Sequence, residues 1–208
     1  MTVEQSRAAL AGWGKHLSGR GLCPGTSGNV SVAVNDGWLC TPTGRALGEL
    51  APSDVAFIDK DGEIDARGPA PTKEWRMHLA LYQTRPEVQA IVHLHSTYAV
   101  AVSCRADVSA ESAIPPLTSY YAMNVRRLPL VPWQPPGDAA LAEAVREYAT
   151  LSPTLLLANH GPVVGASSLE RAVNISEELE EAAKIWLVLH GIPTIELTAA
   201  QIERLPKP

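Results

Sequence analysis

Two hydrophobic periods run along this chain, and the switches between them outline its elements. Leu10, Trp13 and Leu17 recur at helical spacing within residues 2–19, the pattern of a helix with one buried face. Thr2 followed by Gln5 has the form of a capping box, and Gly19 and Gly21 can end the helix. Val30 to Val34 reads as a strand, and Asn35-Asp36-Gly37 is a hairpin signal leading into Trp38-Leu39-Cys40. Val55 to Ile58 and Glu63 to Ala66 form another short pair around Asp61-Gly62. The first third is thus a run of hairpins rather than a βαβ series.

A helix follows over 73–83, capped by Thr72, with Trp75, Leu79 and Tyr82 on one side and Pro86 as its stop. A strand comes next, and Ser96 or Thr97 opens a short helix through Ser103. Residues 106–136 are proline-rich and read as loop, with a strand at Leu128 to Val131. Asp138 caps a helix to about Ala149. Thr154 to Ala158 is a buried strand, and 162–165 reads as another. Ser167 with Glu170 has the capping-box spacing for a long helix over 168–190, closed by Gly191 and Pro193. The expected architecture is one α/β domain over residues 1–208 with a mostly antiparallel sheet.

The strand after Pro86 carries the first candidate chemistry. In Ile91-Val92-His93-Leu94-His95-Ser96, apolar residues alternate with histidines. Side chains repeat every two residues in a strand, so His93 and His95 fall on one face with Cα atoms about 6–7 Å apart. Two imidazoles so arranged can share a metal ion, and Zn²⁺ accepts nitrogen ligands readily. The alternative is two unrelated polar positions on a half-exposed strand. His160, in Ala158-Asn159-His160-Gly161 just past a strand, is the natural third ligand and would leave one position open. Glu74, in the first turn of its helix, suits a helix N-terminus on dipole grounds alone. Beside a cation it could instead be a fourth ligand or move a proton. His16, His78 and His190 lie on predicted helices and read as surface or boundary residues.

Three small-residue turns can form an anion cradle: Thr26-Ser27-Gly28-Asn29, Thr43-Gly44 and Thr72-Lys73. Glycine lets backbone approach a phosphate, hydroxyls and amides donate to it, and Lys73 adds charge. Composition narrows the partners. The 208 residues carry a net charge of −5 with no basic run, which argues against nucleic-acid binding. Cys23, Cys40 and Cys104 form no C-x-x-C pattern and suggest a reducing compartment. With no signal-like N-terminus and no long apolar run, a cytoplasmic protein without a membrane partner is expected.

These motifs together resemble the class II aldolase/adducin family. The resemblance rests on Gly-Thr-Ser-Gly-Asn at 25–29, Thr-Pro-Thr-Gly at 41–44, Pro-Thr-Lys-Glu at 71–74, His-Leu-His-Ser at 93–96 and Asn-His-Gly at 159–161. It runs from about residue 5 to 190. It implies a three-layer α/β/α fold around a mostly antiparallel sheet, and a homotetramer with active sites at subunit boundaries. It also implies one Zn²⁺ per chain, with Mn²⁺ or Co²⁺ able to bind similar ligands. His93, His95, His160 and Glu74 would be the metal ligands, with Glu74 also catalytic. Thr26, Ser27, Gly28, Asn29, Thr43, Gly44, Thr72 and Lys73 would lie on the phosphate side. Tyr120 or Tyr121 would match the tyrosine that aldolases of the family lend to catalysis.

Within the family, several segments look like the branch that decarboxylates 3-oxo-tetronate 4-phosphates. They are 12–17, 95–98, 102–104, 115–121, 127–130 and the glutamate-rich 177–181. The expected reaction is metal-dependent loss of CO₂ through a metal-stabilised enediolate, giving dihydroxyacetone phosphate. Arg126 and Arg127 are candidates for the substrate carboxylate. The alternatives are a sugar-phosphate aldolase, a methylthioribulose-phosphate dehydratase, and a non-catalytic assembly domain of the adducin type.

Overall fold

The computed structural model describes residues 2–206. Helix α1 (Val3–Gly19) has the capping box expected from the sequence: Thr2 Oγ1 accepts from the Gln5 amide at 3.2 Å and Gln5 Oε1 from the Thr2 amide at 2.8 Å. A meander of β1 (Asn29–Val34), β2 (Gly37–Cys40) and β3 (Ala56–Asp59) follows. Next come α2 (Trp75–Thr84), β4 (Ala90–His93), α3 (Thr97–Ser103), α4 (Ser119–Asn124), β5 (Leu130–Val131) and α5 (Ala139–Ala149). The hairpin β6 (Thr154–Leu157) and β7 (Gly161–Ala166) leads into α6 (Leu169–Val188) and a short α7 (Ala199–Glu203).

One seven-stranded sheet has the order β3-β2-β1-β4-β7-β6-β5. Every pairing is antiparallel except β5 with β6. Alternate residues of the central strands feed two cores. Val30, Val32, Ala90, Val92 and Val164 pack with residues of α1, α3, α4 and α6. Ile91, Leu155, Leu157 and Val163 pack with α2 and α5 on the other face. This is the three-layer α/β/α arrangement. Each such valine, leucine or isoleucine side chain contributes about 1.5–3 kcal/mol by leaving water. Among the described residues no helix is long and apolar enough to cross a membrane. The three cysteines are free, Cys23 and Cys40 buried and Cys104 exposed.

Several sequence expectations are corrected. Glu63–Ala66 is not a strand and pairs with β3 through an isolated Ile58–Ile64 bridge. The proline-rich 106–136 stretch contains α4, capped by Thr118, whose hydroxyl accepts from the Tyr121 amide at 3.2 Å. Helix α2 begins later than expected, with Glu74 rather than Thr72 at its N-cap position. Its buried face is Met77, His78, Ala80, Leu81 and Tyr82, while Trp75 and Leu79 are only half-buried. Ser168, not Ser167, caps α6 by accepting from the Arg171 amide. Strand β4 stops at His93, so His95 lies beyond it.

Candidate metal centre

The centre is built on the α2 face of the sheet, at one end of β4. Antiparallel register sets Asn29 of β1 directly opposite His93 of β4, so both side chains point to the same face. His93 is fully buried, and its Nδ1 lies 2.9 Å from the Pro162 carbonyl oxygen. A carbonyl only accepts, so Nδ1 carries the proton and the Nε2 lone pair is turned inward, the usual orientation of a ligating imidazole.

His160 comes from the β6–β7 turn. Asn159 takes a left-handed conformation there (φ 55°), and its amide donates to the Ser103 carbonyl. Gly161 packs so closely on the end of β4 that an added Cβ would lie 2.3 Å from the Leu94 carbonyl oxygen. The turn thereby carries His160 against His93 and His95, with ring centroids 4.8 Å from each. Glu74 is delivered by the turn before α2, where Thr72 Oγ1 accepts from its amide at 3.3 Å.

The four side chains converge. His93 Nε2 is 3.1 Å from His95 Nε2 and 3.3 Å from Glu74 Oε2, and His160 Nε2 is 3.3 Å from Glu74 Oε1. One ligand atom from each lies within 4.8 Å of all the others. Ligands about 2.0–2.2 Å from a tetrahedral ion stand about 3.3–3.6 Å apart, close to these spacings. Glu74 Oε1 and both His160 ring nitrogens are buried without a hydrogen-bond partner among the described residues. Buried polar atoms left so are rare unless an ion or water satisfies them. The donor set of three imidazoles and a carboxylate therefore fits a divalent cation such as Zn²⁺.

The electrostatics agree. Burial, reinforced by the charge of His93, pushes the imidazoles of His95 and His160 down to about 4, against the pull of Glu74. Burial alone would raise the Glu74 carboxyl. The adjoining His93 and His160 rings in their protonated form, with a hydrogen bond from Asn29, outweigh it and hold the group well below the usual carboxylate range. Near neutral pH the cluster thus offers lone pairs on His95 and His160 and an ionised carboxylate, the state a metal requires.

The three small-residue turns are brought together beside the cluster. Val30 and Thr41 exchange hydrogen bonds, the Thr72 amide donates to the Thr41 carbonyl, and the Thr43 amide donates to the Ala70 carbonyl. The Thr43-Gly44 and Thr72-Lys73 turns are therefore laced side by side, and Asn29 Nδ2 donates to Glu74 Oε2 at 2.8 Å. Gly28 (φ +78°) sits with its Cα against the His93 carbonyl, where an added Cβ would lie 3.0 Å away. Thr26, Thr43, Gly44 and Lys73 are exposed, Ser27 and Gly28 half-buried, and Asn29 and Thr72 buried.

Tyr120 and Tyr121 are not part of this cluster. Both lie in α4. Tyr121 is buried and its hydroxyl donates to the Ile114 carbonyl at 3.2 Å. Tyr120 is 68% exposed and lines a surface hollow with Ser168, Glu170 and Arg171. Ser168 follows the end of β7, where Ala166 pairs with Ala90, whereas His93 pairs with Val163. The tyrosines thus flank the opposite end of the sheet. Arg127 lies there too, donating from Nε to the Glu111 carbonyl, and Arg126 is exposed.

His78 departs furthest from its reading as a surface or boundary residue. It is buried, with Nε2 2.6 Å from Asn29 Oδ1 and Nδ1 2.7 Å from Ser31 Oγ. His78 and Tyr82 are four apart on α2, which sets them on one helix face. Ser31 in β1 shares the strand face of Asn29. His16 and His190 are exposed, as expected.

Known proteins resemble this chain over nearly its whole length. Residues 8–187 match the family model of the Class II Aldolase and Adducin N-terminal domain. The 3-oxo-tetronate 4-phosphate decarboxylase of Escherichia coli K12 is 42% identical over 205 residues, 98% of this chain and 96% of that one. The decarboxylase of the same name from Haemophilus influenzae is 39% identical over 206 residues, 99% of this chain and 98% of that one. The crystal structure of YgbL from Klebsiella pneumoniae superposes with a TM-score of 0.94 at 40% identity, covering 99% of this chain and all of that one. On this sequence match and this architecture, the chain belongs to the class II aldolase/adducin family.

Proposed function

We propose that this chain is a metal-dependent carboxy-lyase that converts a 3-oxo-tetronate 4-phosphate to dihydroxyacetone phosphate and CO₂. The observation that carries the proposal is the Glu74–His93–His95–His160 cluster in a chain about 40% identical, over nearly its whole length, to decarboxylases of that substrate. The substrate has a ketone β to its carboxylate. Breaking the C1–C2 bond releases CO₂ and leaves the electron pair on C2, beside the ketone, as an enediolate. Zinc, held by the three histidines and Glu74, would supply Lewis acidity toward that developing negative charge.

The chain's own residues do the rest. Glu74 is ionised, Asn29 donates to its Oε2, and its Oε1 makes no hydrogen bond among the described residues, so on substrate binding Oε1 can take the C2 hydroxyl proton and deliver it to C2 after CO₂ leaves. A solvent proton then restores the hydroxyl, so one proton is consumed overall. Asn29, Thr72 and the Thr26–Gly28 and Thr43–Gly44 turns, with Lys73, hold the phosphate. Binding energy far from the breaking bond thereby orients the reacting end. The exposed Tyr120 suits a role at a neighbouring subunit's centre in a homotetramer better than the buried Tyr121 does.

A second reading, aldol cleavage of a larger sugar phosphate at the same centre, is favoured by one comparison. The L-fuculose phosphate aldolase of an Escherichia coli strain is 36% identical over 173 residues. The deciding experiment supplies zinc-loaded protein with enzymatically generated 3-oxo-tetronate 4-phosphate and follows CO₂ and dihydroxyacetone phosphate together. Equal release of both, abolished by a chelator and restored by zinc, is expected. No turnover above spontaneous CO₂ loss in a zinc-replete protein would transfer the assignment to the aldolase, to be sought through its aldehyde product.

A further inference from the structure

Behind Glu74 lies a buried row of polar side chains, of which the proposed reaction uses only Asn29. Tyr82 OH is 2.9 Å from Ser31 Oγ, Ser31 Oγ is 2.7 Å from His78 Nδ1, and His78 Nε2 is 2.6 Å from Asn29 Oδ1. Asn29 Nδ2 then donates to Glu74 Oε2 at 2.8 Å. The row crosses from one face of α2 to one face of β1. Its members are almost wholly shielded: His78 is 2% exposed, Ser31 1%, Asn29 4% and Tyr82 6%.

The carboxylate end fixes the polarity of the whole row. An ionised carboxylate only accepts, so Asn29 must present its NH₂ to Glu74 and its carbonyl oxygen to His78. That oxygen also only accepts, so His78 Nε2 must carry a proton. Burial pushes the His78 imidazole down to about 3, so near neutral pH the ring is neutral and Nδ1 has a lone pair. Ser31 therefore donates to Nδ1, and Tyr82 donates to Ser31. Every hydrogen bond then runs in one direction, toward Glu74.

We propose that His78 is a positioning residue: through its Nε2–H it locks the Asn29 amide in the orientation that holds Glu74 Oε2 and leaves Oε1 free for the proton transfer. A flipped Asn29 would set its carbonyl oxygen against the carboxylate, two acceptors facing each other, and Glu74 would turn away. The effect on turnover rests on the decarboxylase reading above, but the effect on the centre's geometry does not.

Two substitutions separate polarity from packing. His78→Gln offers an amide N–H toward Asn29 and a carbonyl toward Ser31, the same polarity. His78→Leu offers neither. In cobalt-substituted protein, with no substrate present, the visible spectrum reports the ligand geometry directly. The spectrum of His78→Gln is expected to match the parent and that of His78→Leu to differ. In zinc protein, His78→Leu is expected to lower kcat about 10–100-fold, the usual scale for a residue supporting a metal ligand, with KM little changed. His78→Gln should recover to within several-fold.

Nitrogen NMR of the parent, histidine-labelled and zinc-loaded, gives a third readout that needs neither variant nor turnover, with the His78 proton expected on Nε2. A proton on Nδ1 would overturn the proposal even if His78→Leu failed to fold. So would indistinguishable cobalt spectra for parent, Gln and Leu proteins. If the parent shows no decarboxylation while the spectra and the tautomer behave as stated, the positioning role stands and only the reaction assignment falls.

Discussion

Asn29 faces His93 across the β1–β4 ladder, and its amide reaches past that histidine to Glu74 Oε2. One asparagine thus joins the end of the Thr26–Asn29 turn to the carboxylate of the metal cluster. The turn proposed to hold phosphate and the His93–Glu74 pair are thereby linked across two adjacent strands.

Removing a histidine of the cluster should therefore differ in effect from removing the proposed proton carrier, Glu74. His93→Ala and His160→Ala are each expected to lose bound metal and activity together, measured by elemental analysis and CO₂ release. Glu74→Gln is expected to fold normally and to lose turnover by 100-fold or more, the scale of a missing acid–base group. Near-normal turnover of Glu74→Gln would remove Glu74 from catalysis.

Acid should destabilise the metal-free protein. Folding lowers the His95 and His160 imidazoles from 6.5 to about 4 and His78 to about 3. Between those values the unfolded chain binds more protons than the folded one, so unfolding free energy rises with pH there. Glu74, lowered from 4.5, acts in the same sense, its contribution present above that value and lost as pH falls below it. Urea midpoints should be level above about pH 6.5 and fall progressively toward pH 4. A level midpoint down to pH 4.5 would contradict the burial of these imidazoles.

Glu180 should support the centre from the other face of the sheet. From α6 its carboxylate accepts the backbone N–H groups of Tyr98 and Ala99, both at 2.8 Å. It caps α3 in place of Ser96, whose hydroxyl is buried without a partner among the described residues. Since α3 starts two residues after His95, Glu180→Ala should cost about 2–3 kcal/mol of stability, as loss of charge-assisted capping bonds does. Weakened zinc retention in a competition assay should accompany the lower urea midpoint. Unchanged zinc retention would confine Glu180 to stability.

The two tyrosines should respond in opposite ways. Tyr121→Phe removes a buried hydrogen bond to Ile114 and should cost about 1 kcal/mol with turnover unchanged. Tyr120→Phe, at an exposed position, should leave stability unchanged and lower turnover if α4 serves a neighbouring subunit's centre. A size measurement beside the assay checks that the oligomer persists. Full activity of both variants would exclude both tyrosines from the chemistry.

Much of the element order was legible in the sequence because it is local. The Thr2–Gln5 capping box, the Asn35-Asp36-Gly37 turn and the Asp138 cap each depend on neighbours a few residues apart, and each is found in the structure. The histidine and glutamate positions were legible as types and spacings, and they do converge. Their convergence was expected from resemblance, whereas the structure supplies its causes: the β1–β4 register, the close approach of Gly161 to Leu94, and the late start of α2 at Glu74.

What only the tertiary structure decided is long-range. His78 looked like an ordinary helical histidine because its partners, Asn29 and Ser31, lie 49 and 47 residues away. Its fourfold spacing from Tyr82, matching the twofold spacing of Asn29 and Ser31, was the available signal. It becomes readable only once α2 is known to cover β1. Glu180 was masked in the same way among the glutamates of α6, where only packing against α3 distinguishes the buried carboxylate from its solvated neighbours. The sequence determined which groups the chain carries and which local shapes it favours. Sheet register and helix packing, which pair residues far apart along the chain, determined which of those groups meet.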